Sequence, residues 1–149
     1  MAVSDRGGTV RFTADGDTVN RIASGDASGR SLIEVPATTL DALFAERAPR
    51  VVKIDVEGHE GAVLDGGRRL LASDEVAALV VEMGEQGDRA ARSLVEHGFE
   101  AARYEPFARN LTRGSGPGRA GNAIWVRDRA WAEARLREAR PISVNGVAV

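Results

Sequence analysis

The residues best suited to chemistry lie in one stretch, Lys53 to Glu60, which reads Lys-Ile-Asp-Val-Glu-Gly-His-Glu. A mostly apolar run, residues 51–54, ends there in carboxylates, a glycine and an imidazole. Carboxylates and imidazoles are the usual groups of acid–base catalysis, and His59 is the side chain that titrates nearest neutral pH. Ionisable groups at the carboxyl end of an apolar strand indicate a ligand site of an open α/β sheet.

Lys53 is the only lysine of the chain, because every other residue in the Lys+Arg total of 20 is an arginine. It lies two residues before Asp55, so both side chains point to the same side of a strand. We expect them to form a buried ion pair that orients the carboxylate. The simpler interpretation of Asp55 is a turn residue that closes the strand before a helix starting at Glu60.

Two further acids and a glycine complete the set of candidates. Glu57 could contact a ligand, or only provide a favourable negative charge before a helix. Glu82 ends the next predicted strand at the same sheet edge as Asp55, where it could contact a substrate or simply be solvated. Gly58 is expected to serve backbone geometry. These acids and His59 could also hold a divalent ion, but their spacing matches no standard metal motif, so we predict no metal site.

The elements that position these residues alternate between strands and helices. The patterns predict short strands at residues 9–13 and 32–35 around a loop at 15–30. A helix at 40–47, a strand at 51–56 buried on both faces, a helix at 60–72, a strand at 77–83 and a helix from 88 to 97 follow. The last predicted elements are strands at 99–104 and 122–127, separated by a mobile loop at 105–121, and a helix at 130–139. This alternation favours an α/β fold with a mostly parallel sheet of four strands, of which the last two pair antiparallel. Residues 1–36 are predicted to form a hairpin-like arm, residues 37–140 the main part of the domain and residues 141–149 a tail.

Bulk properties exclude several classes of protein. The chain has 149 residues and a formal net charge of -2, which fits one domain and argues against a nucleic-acid-binding surface. It contains no cysteine, so disulfides and thiolate metal sites are excluded. No apolar run approaches the ~20 residues of a membrane span, and no basic and apolar leader is seen at the N-terminus. We therefore expect a cytoplasmic protein with no membrane or nucleic-acid partner.

Residues 36–128 resemble the FkbM family of S-adenosylmethionine-dependent methyltransferases. The segments that carry the resemblance are Thr38-Thr39-Leu40-Asp41, the run from Val52 to Glu60, Val63-Leu64-Asp65-Gly66, Val80-Val81-Glu82 and Gly98-Phe99, with Ala2-Val3-Ser4-Asp5 and Gly8 similar to the segment before the mid-domain hairpin of the family. The resemblance implies part of a Rossmann-like class I methyltransferase sheet with helices on both faces. It also implies transfer of a methyl group from S-adenosylmethionine to a hydroxyl of a small molecule or glycan.

The resemblance assigns roles to residues as well. It implies Asp55 and His59 as catalytic residues, Ser4, Asp5 and Asp55 as cofactor contacts, Glu57 and Glu82 as acceptor contacts, and Lys53 and Gly58 as structural support. No acid-Gly-x-Gly run follows an apolar strand here, although family members hold the cofactor with such a turn, so the resemblance is to the C-terminal portion of the domain. The alternative is a non-catalytic, truncated or degenerate domain that acts as a binding or assembly module. In that case the strand at Val51 would lie at a sheet edge and permit self-association.

Overall fold

The computed structural model of the chain describes residues 1–14, 22–23, 31–84, 87–114, 121–144 and 146–148. Most of the loop predicted at residues 15–30 lies outside these ranges, and so do residues 115–120 of the loop predicted at 105–121.

The N-terminal arm is a small sheet whose described strands are β1 (Ala2–Val3), β2 (Gly8–Thr13) and β3 (Leu32–Thr38). Strands β2 and β3 pair antiparallel, as the hairpin-like arm predicted, and the unpredicted β1 pairs parallel to the end of β3. The register places Val10 opposite Val35 and Phe12 opposite Ile33. Since side chains two apart share a face of a strand, these four form one apolar face of the arm.

Within the described residues the main sheet has five strands: β4 (Val51–Ile54), β5 (Ala78–Glu82), β6 (Glu100–Glu105), β7 (Asn110–Arg113) and β8 (Asn122–Val126), in the order β4-β5-β8-β6-β7. Of these five, only β4 and β5 pair parallel, so the prediction of a mostly parallel sheet is wrong. The cause is β8, which inserts between β5 and β6 and runs antiparallel to both. The predicted antiparallel pairing of β6 with β8 is confirmed, while the Rossmann-like arrangement implied by the resemblance stays a prediction.

The helices of the described ranges are α1 (Leu40–Leu43), α2 (Glu60–Asp65), α3 (Arg68–Ala72), α4 (Gly87–Glu96) and α5 (Arg129–Glu138). The prediction of a single helix at residues 60–72 is wrong, because the chain breaks between α2 and α3 at Gly66 and Gly67. Gly66 packs against the backbone of Ser4 so closely that a Cβ there would lie 2.1 Å from the Ser4 carbonyl oxygen. The segment predicted as a tail contains a short antiparallel pair, β9 (Ser143–Val144) and β10 (Val147–Ala148).

Helices cover both faces of the main sheet, as predicted. On one face Leu79 and Trp125, neighbours across β5 and β8, belong to the large core formed with α1 to α4. On the other face Ala78 and Val126 pack with α5 through Ala132. Burying this apolar surface is the main favourable contribution to the stability of such a fold.

Strand β4 departs from its prediction. Val52 and Ile54 are buried, whereas Lys53 is exposed and Val51 is 50% exposed, so the strand is not buried on both faces. The reason is that the cluster beneath α5 contains residues of β5, β6 and β8 but, among the described residues, none of β4. Among the described strands β4 pairs with β5 alone and forms one edge of the sheet.

Arg127, just after β8, connects several elements. Its guanidinium donates hydrogen bonds to the carbonyl oxygens of Leu71 at 2.7 Å, Val76 at 2.9 Å and His97 at 3.2 Å, and it lies 4.4 Å from the centroid of the Phe99 ring. These carbonyls lie near the ends of α3 and α4 and before β5, where backbone groups lack partners within a helix or strand. A single side chain therefore fixes the end of the sheet opposite to the acidic cluster described below.

No helix in the described ranges is both long enough and apolar enough to cross a bilayer.

Candidate functional site

An acidic cluster lies at the carboxyl ends of β4 and β5. Ile54 is opposite Val81 in the parallel register, so the next residues, Asp55 and Glu82, lie side by side. Carboxylate oxygens of Asp55, Glu57 and Glu82 all lie within 4.8 Å of one another. The sequence prediction that Asp55 and Glu82 share a sheet edge is therefore confirmed.

Lys53 pairs with Asp55, as their spacing in the strand predicts. The pair is not buried, since the two side chains are 57% and 43% exposed on the uncovered face of β4. The hydrogen bond from Lys53 holds the pKa of the Asp55 carboxyl below its ordinary value. Hydrogen bonding with Asp55, followed by burial and the charge of neighbouring acids, raises the pKa of Glu82. Of these two acids, Asp55 therefore keeps its charge to lower pH than an ordinary aspartate, and Glu82 keeps its proton to higher pH than an ordinary glutamate.

A strained turn follows β4. Glu57 has a φ of 52° and Gly58 a φ of 90°, both in the left-handed region. Glycine adopts this conformation without a side-chain clash, so the backbone suits the geometric role of Gly58, which stays a prediction. For Glu57 it is an unusual conformation of the kind that clusters at ligand sites. The Gly58 N–H donates to the buried Glu60 carboxylate at 3.0 Å, and this bond helps to fix the turn.

The N-cap residue of α2 is His59 and not Asp55. The His59 side chain makes no capping hydrogen bond to the backbone of α2. Instead, its Nε2 lies 2.9 Å from Oγ of Ser4, which in turn lies 3.0 Å from Oδ1 of Asp5. Ser4 is only 3% exposed, while Asp5 is exposed. Burial lowers the pKa of His59, and the charges of Asp5 and Glu60 oppose this shift only in part. The imidazole is therefore favoured in its neutral form.

A cavity of about 670 Å³ lies between the arm and the carboxyl end of β4. Its polar lining comes from Asp55, Glu57 and His59, and its apolar walls are formed mainly by Val3, Phe12, Ile22, Ile33, Val35 and Val56. Of the three acids that the sequence analysis gives as ligand contacts, Asp55 and Glu57 line this cavity and Glu82 does not. A second, smaller cavity of about 230 Å³ lies on the side of Ser4 and Asp5, and His59 borders both cavities.

The apolar walls of the cavity were not predicted from the sequence. The alternation of Val10 with Phe12 and of Ile33 with Val35 predicts an apolar face of the arm, but nothing local indicates that this face points toward Asp55. The contact between Ser4 and His59 joins residues 55 positions apart and has no sequence signal of its own.

Oxygen ligands for a divalent cation are available in the cluster of Asp55, Glu57 and Glu82. Exposed acidic groups commonly lie this close without an ion, and His59 is not part of the cluster but is bound to Ser4. We therefore assign no metal to this site.

A sequence model described as the methyltransferase FkbM domain matches residues 2–105. The match covers the arm, β4, the acidic cluster, the Ser4–His59 contact and the chain up to the end of β6. Comparison with curated proteins and with solved structures gave no match. Because the matched residues make up more than half of the sequence, the chain belongs to the FkbM methyltransferase domain family.

Proposed function

We propose that this chain is an S-adenosylmethionine-dependent methyltransferase that methylates a hydroxyl of a small molecule or glycan. Membership of the family supports methyl transfer in general. The observation that carries the finer proposal is the cavity in which an apolar arm faces Asp55, Glu57 and His59. A cytoplasmic location and a class I, Rossmann-like arrangement stay predictions.

The cavity offers groups that suit parts of the proposed cofactor, whereas the acid-Gly-x-Gly turn with which family members hold it does not follow any apolar strand of this sequence. S-adenosylmethionine supplies a methyl group bound to a positively charged sulfur, which keeps the electron pair of the broken carbon–sulfur bond. Asp55 is held in its ionised form, so it can complement that charge or accept hydrogen bonds from the ribose. The apolar wall formed by Phe12, Ile33 and Val35 suits an adenine ring or an apolar acceptor.

The roles of Ser4 and Asp5 as cofactor contacts stay predictions, and the geometry favours Asp5 over Ser4. The Ser4 hydroxyl already has partners in His59 and Asp5, so it has little remaining capacity for a ligand. The exposed carboxylate of Asp5 retains lone pairs that a hydroxyl or an amine of a ligand could use.

The acceptor side of the proposal rests on Glu57, Glu82 and His59. Methyl transfer requires the acceptor oxygen to be aligned with the methyl carbon and its proton to be removed. Glu57 lines the cavity and is proposed to position the acceptor, with Glu82 beside it. His59 also lines the cavity and is favoured in the neutral form that can take up a proton.

Calorimetric titration of the chain with S-adenosylmethionine tests the proposal. We expect one site per chain, and we expect Asp55→Asn to weaken binding by about tenfold to a hundredfold through loss of a charged contact. The matched control is Asp74→Asn, an exposed aspartate before β5 at the other end of the sheet, which should bind like the wild type. No binding by the wild-type chain, or equal weakening by both variants, would overturn the proposal.

A further inference from the structure

The hydroxyl of Ser4 lies between two side chains that compete for its single hydrogen. An ionised carboxylate only accepts hydrogen bonds, so the contact between Ser4 Oγ and Asp5 Oδ1 requires the hydroxyl to donate. Ser4 Oγ must then be the acceptor in its 2.9 Å contact with Nε2 of His59. The hydrogen of the neutral imidazole is therefore on Nε2, and the lone pair is on Nδ1.

From this geometry we propose that Ser4 and Asp5 are positioning residues that fix His59 as the Nε2–H tautomer and leave Nδ1 to accept the proton of the acceptor hydroxyl. The inference rests on the proposed function for the identity of the proton donor. His59 borders the large cavity, and no described residue makes a hydrogen bond to its Nδ1.

The proton transfer balances within these residues. The O–H bond of the acceptor breaks, its proton moves to Nδ1, and the electron pair of that bond stays on the oxygen for the new bond to carbon. The resulting imidazolium keeps its Nε2–H on Ser4, so the hydrogen bond survives the change of charge. Asp5 and Glu60 stabilise the charged ring and Arg89 opposes it, as their effects on the His59 pKa indicate.

Backbone packing holds Ser4 in place for this role. Its N–H donates to the carbonyl oxygen of Thr38 at 2.8 Å, at the end of β3. On its other side Gly66 packs against the Ser4 carbonyl at a distance that leaves no space for a Cβ. A serine held by two elements presents its hydroxyl to His59 at little entropic cost.

The second histidine of the chain provides an internal reference. Nδ1 of His97 lies 2.7 Å from the carbonyl oxygen of Ser93, and a carbonyl oxygen only accepts hydrogen bonds. When neutral, His97 must therefore carry its hydrogen on Nδ1. The structure thus assigns opposite tautomers to the two histidines.

Long-range ¹H–¹⁵N spectra of the full chain without cofactor test this assignment, because ring nitrogen shifts distinguish the tautomers. At about pH 8, above the ordinary histidine pKa of ~6.5, we expect His59 as the Nε2–H form and His97 as the Nδ1–H form. A predominant Nδ1–H form of His59 would overturn the proposal. Since no ligand is present, this result is independent of the calorimetric test of function.

A variant tests the role of Asp5. In Asp5→Asn the amide can donate to Ser4 Oγ, which frees the serine hydrogen to turn toward His59. We expect the Nδ1–H fraction of His59 to rise by about fivefold, the change that corresponds to one net hydrogen bond. The tautomer of His97 in this variant, and the tautomer of His59 in the Asp74→Asn control, should stay as in the wild type. An unchanged His59 tautomer in Asp5→Asn would contradict the positioning role.

Discussion

At the scale of single residues, the pKa values of Asp55 and Glu82 are shifted in opposite directions. Lys53 favours the ionised form of Asp55, and Asp55 in turn favours the protonated form of Glu82. Because the pKa of Glu82 is raised on folding, the folded chain keeps a proton that the unfolded chain has already released above the ordinary glutamate value of ~4.3. The free energy of unfolding therefore falls as the pH rises from the glutamate pKa of the unfolded chain to the higher pKa of Glu82 in the folded chain.

We therefore expect Glu82→Gln to increase the free energy of unfolding at pH 7. The gain should disappear at about pH 3, where Glu82 is protonated in both states. Urea unfolding at the two pH values measures the effect, and Glu75→Gln, which changes an exposed acid before β5, is the matched control. The same effect of Glu82→Gln at both pH values would show that its charge is not the cause.

Some of this residue-scale detail could be predicted from the sequence. The two-residue period of a strand predicts the contact between Lys53 and Asp55, but not its exposure, which depends on where α5 packs. The contact between Ser4 and His59 could not be predicted, because it needs the arm to lie against the end of α2.

At the scale of elements, the turn after β4 determines where the site residues point. Gly58 has a φ of 90°, and a Cβ added there would have no atom within 4 Å, so an alanine would strain the backbone without a steric clash. We expect Gly58→Ala to cost about 1–2 kcal/mol of stability and also to weaken cofactor binding. Denaturant unfolding and calorimetric titration measure the two effects.

Gly146 offers a matched control for this prediction. It has a φ of 82°, equally free surroundings, and a position in the C-terminal hairpin. Gly146→Ala should cause a similar backbone penalty without changing cofactor binding. Equal loss of binding in both variants would mean that the turn after β4 has no particular role in the site.

Local sequence patterns predict some of the strands and miss others. Strands with apolar residues, such as β5 and β8, could be predicted from composition, whereas β7 reads Asn-Leu-Thr-Arg and resembles a loop. It forms because it pairs with β6 at the sheet edge, where one apolar residue, Leu111, suffices to reach the cluster under α5. The break at Gly66 likewise depends on the distant Ser4.

At the scale of the whole molecule, the order of the strands is the main feature that could not be predicted. Alternating strands and helices indicate an α/β fold, but they do not show that β8 returns between β5 and β6. That pairing is long-range, and local patterns contain no information about it. The sequence nevertheless predicts that the carboxyl ends of β4 and β5 lie side by side. This part is local, since helices connect the two strands and they are the one parallel pair among the described strands of the main sheet.

We also propose that copies of the chain associate through the edge of β4, which pairs on one side only among the described strands. Sedimentation velocity should then show faster sedimentation as the concentration rises. Val51→Lys, which adds a charge at an edge residue that is 50% exposed, should weaken the association. Val95→Lys changes another exposed valine, on α4, and should behave like the wild type. A single sedimenting species of the wild-type chain at every concentration would contradict the proposal.

Amide chemical shifts recorded during titration with S-adenosylmethionine test the proposed cofactor site most directly, because they locate binding on the chain. We predict that the largest shifts occur at residues 2–3, 55–57 and 59, which border the cavity between the arm and β4, and at Ser4 and Asp5, which border the smaller cavity on the other side of His59. The shifts should saturate at one cofactor per chain. Absence of shifts at these residues, or shifts confined to the surface around α5, would contradict the proposed site.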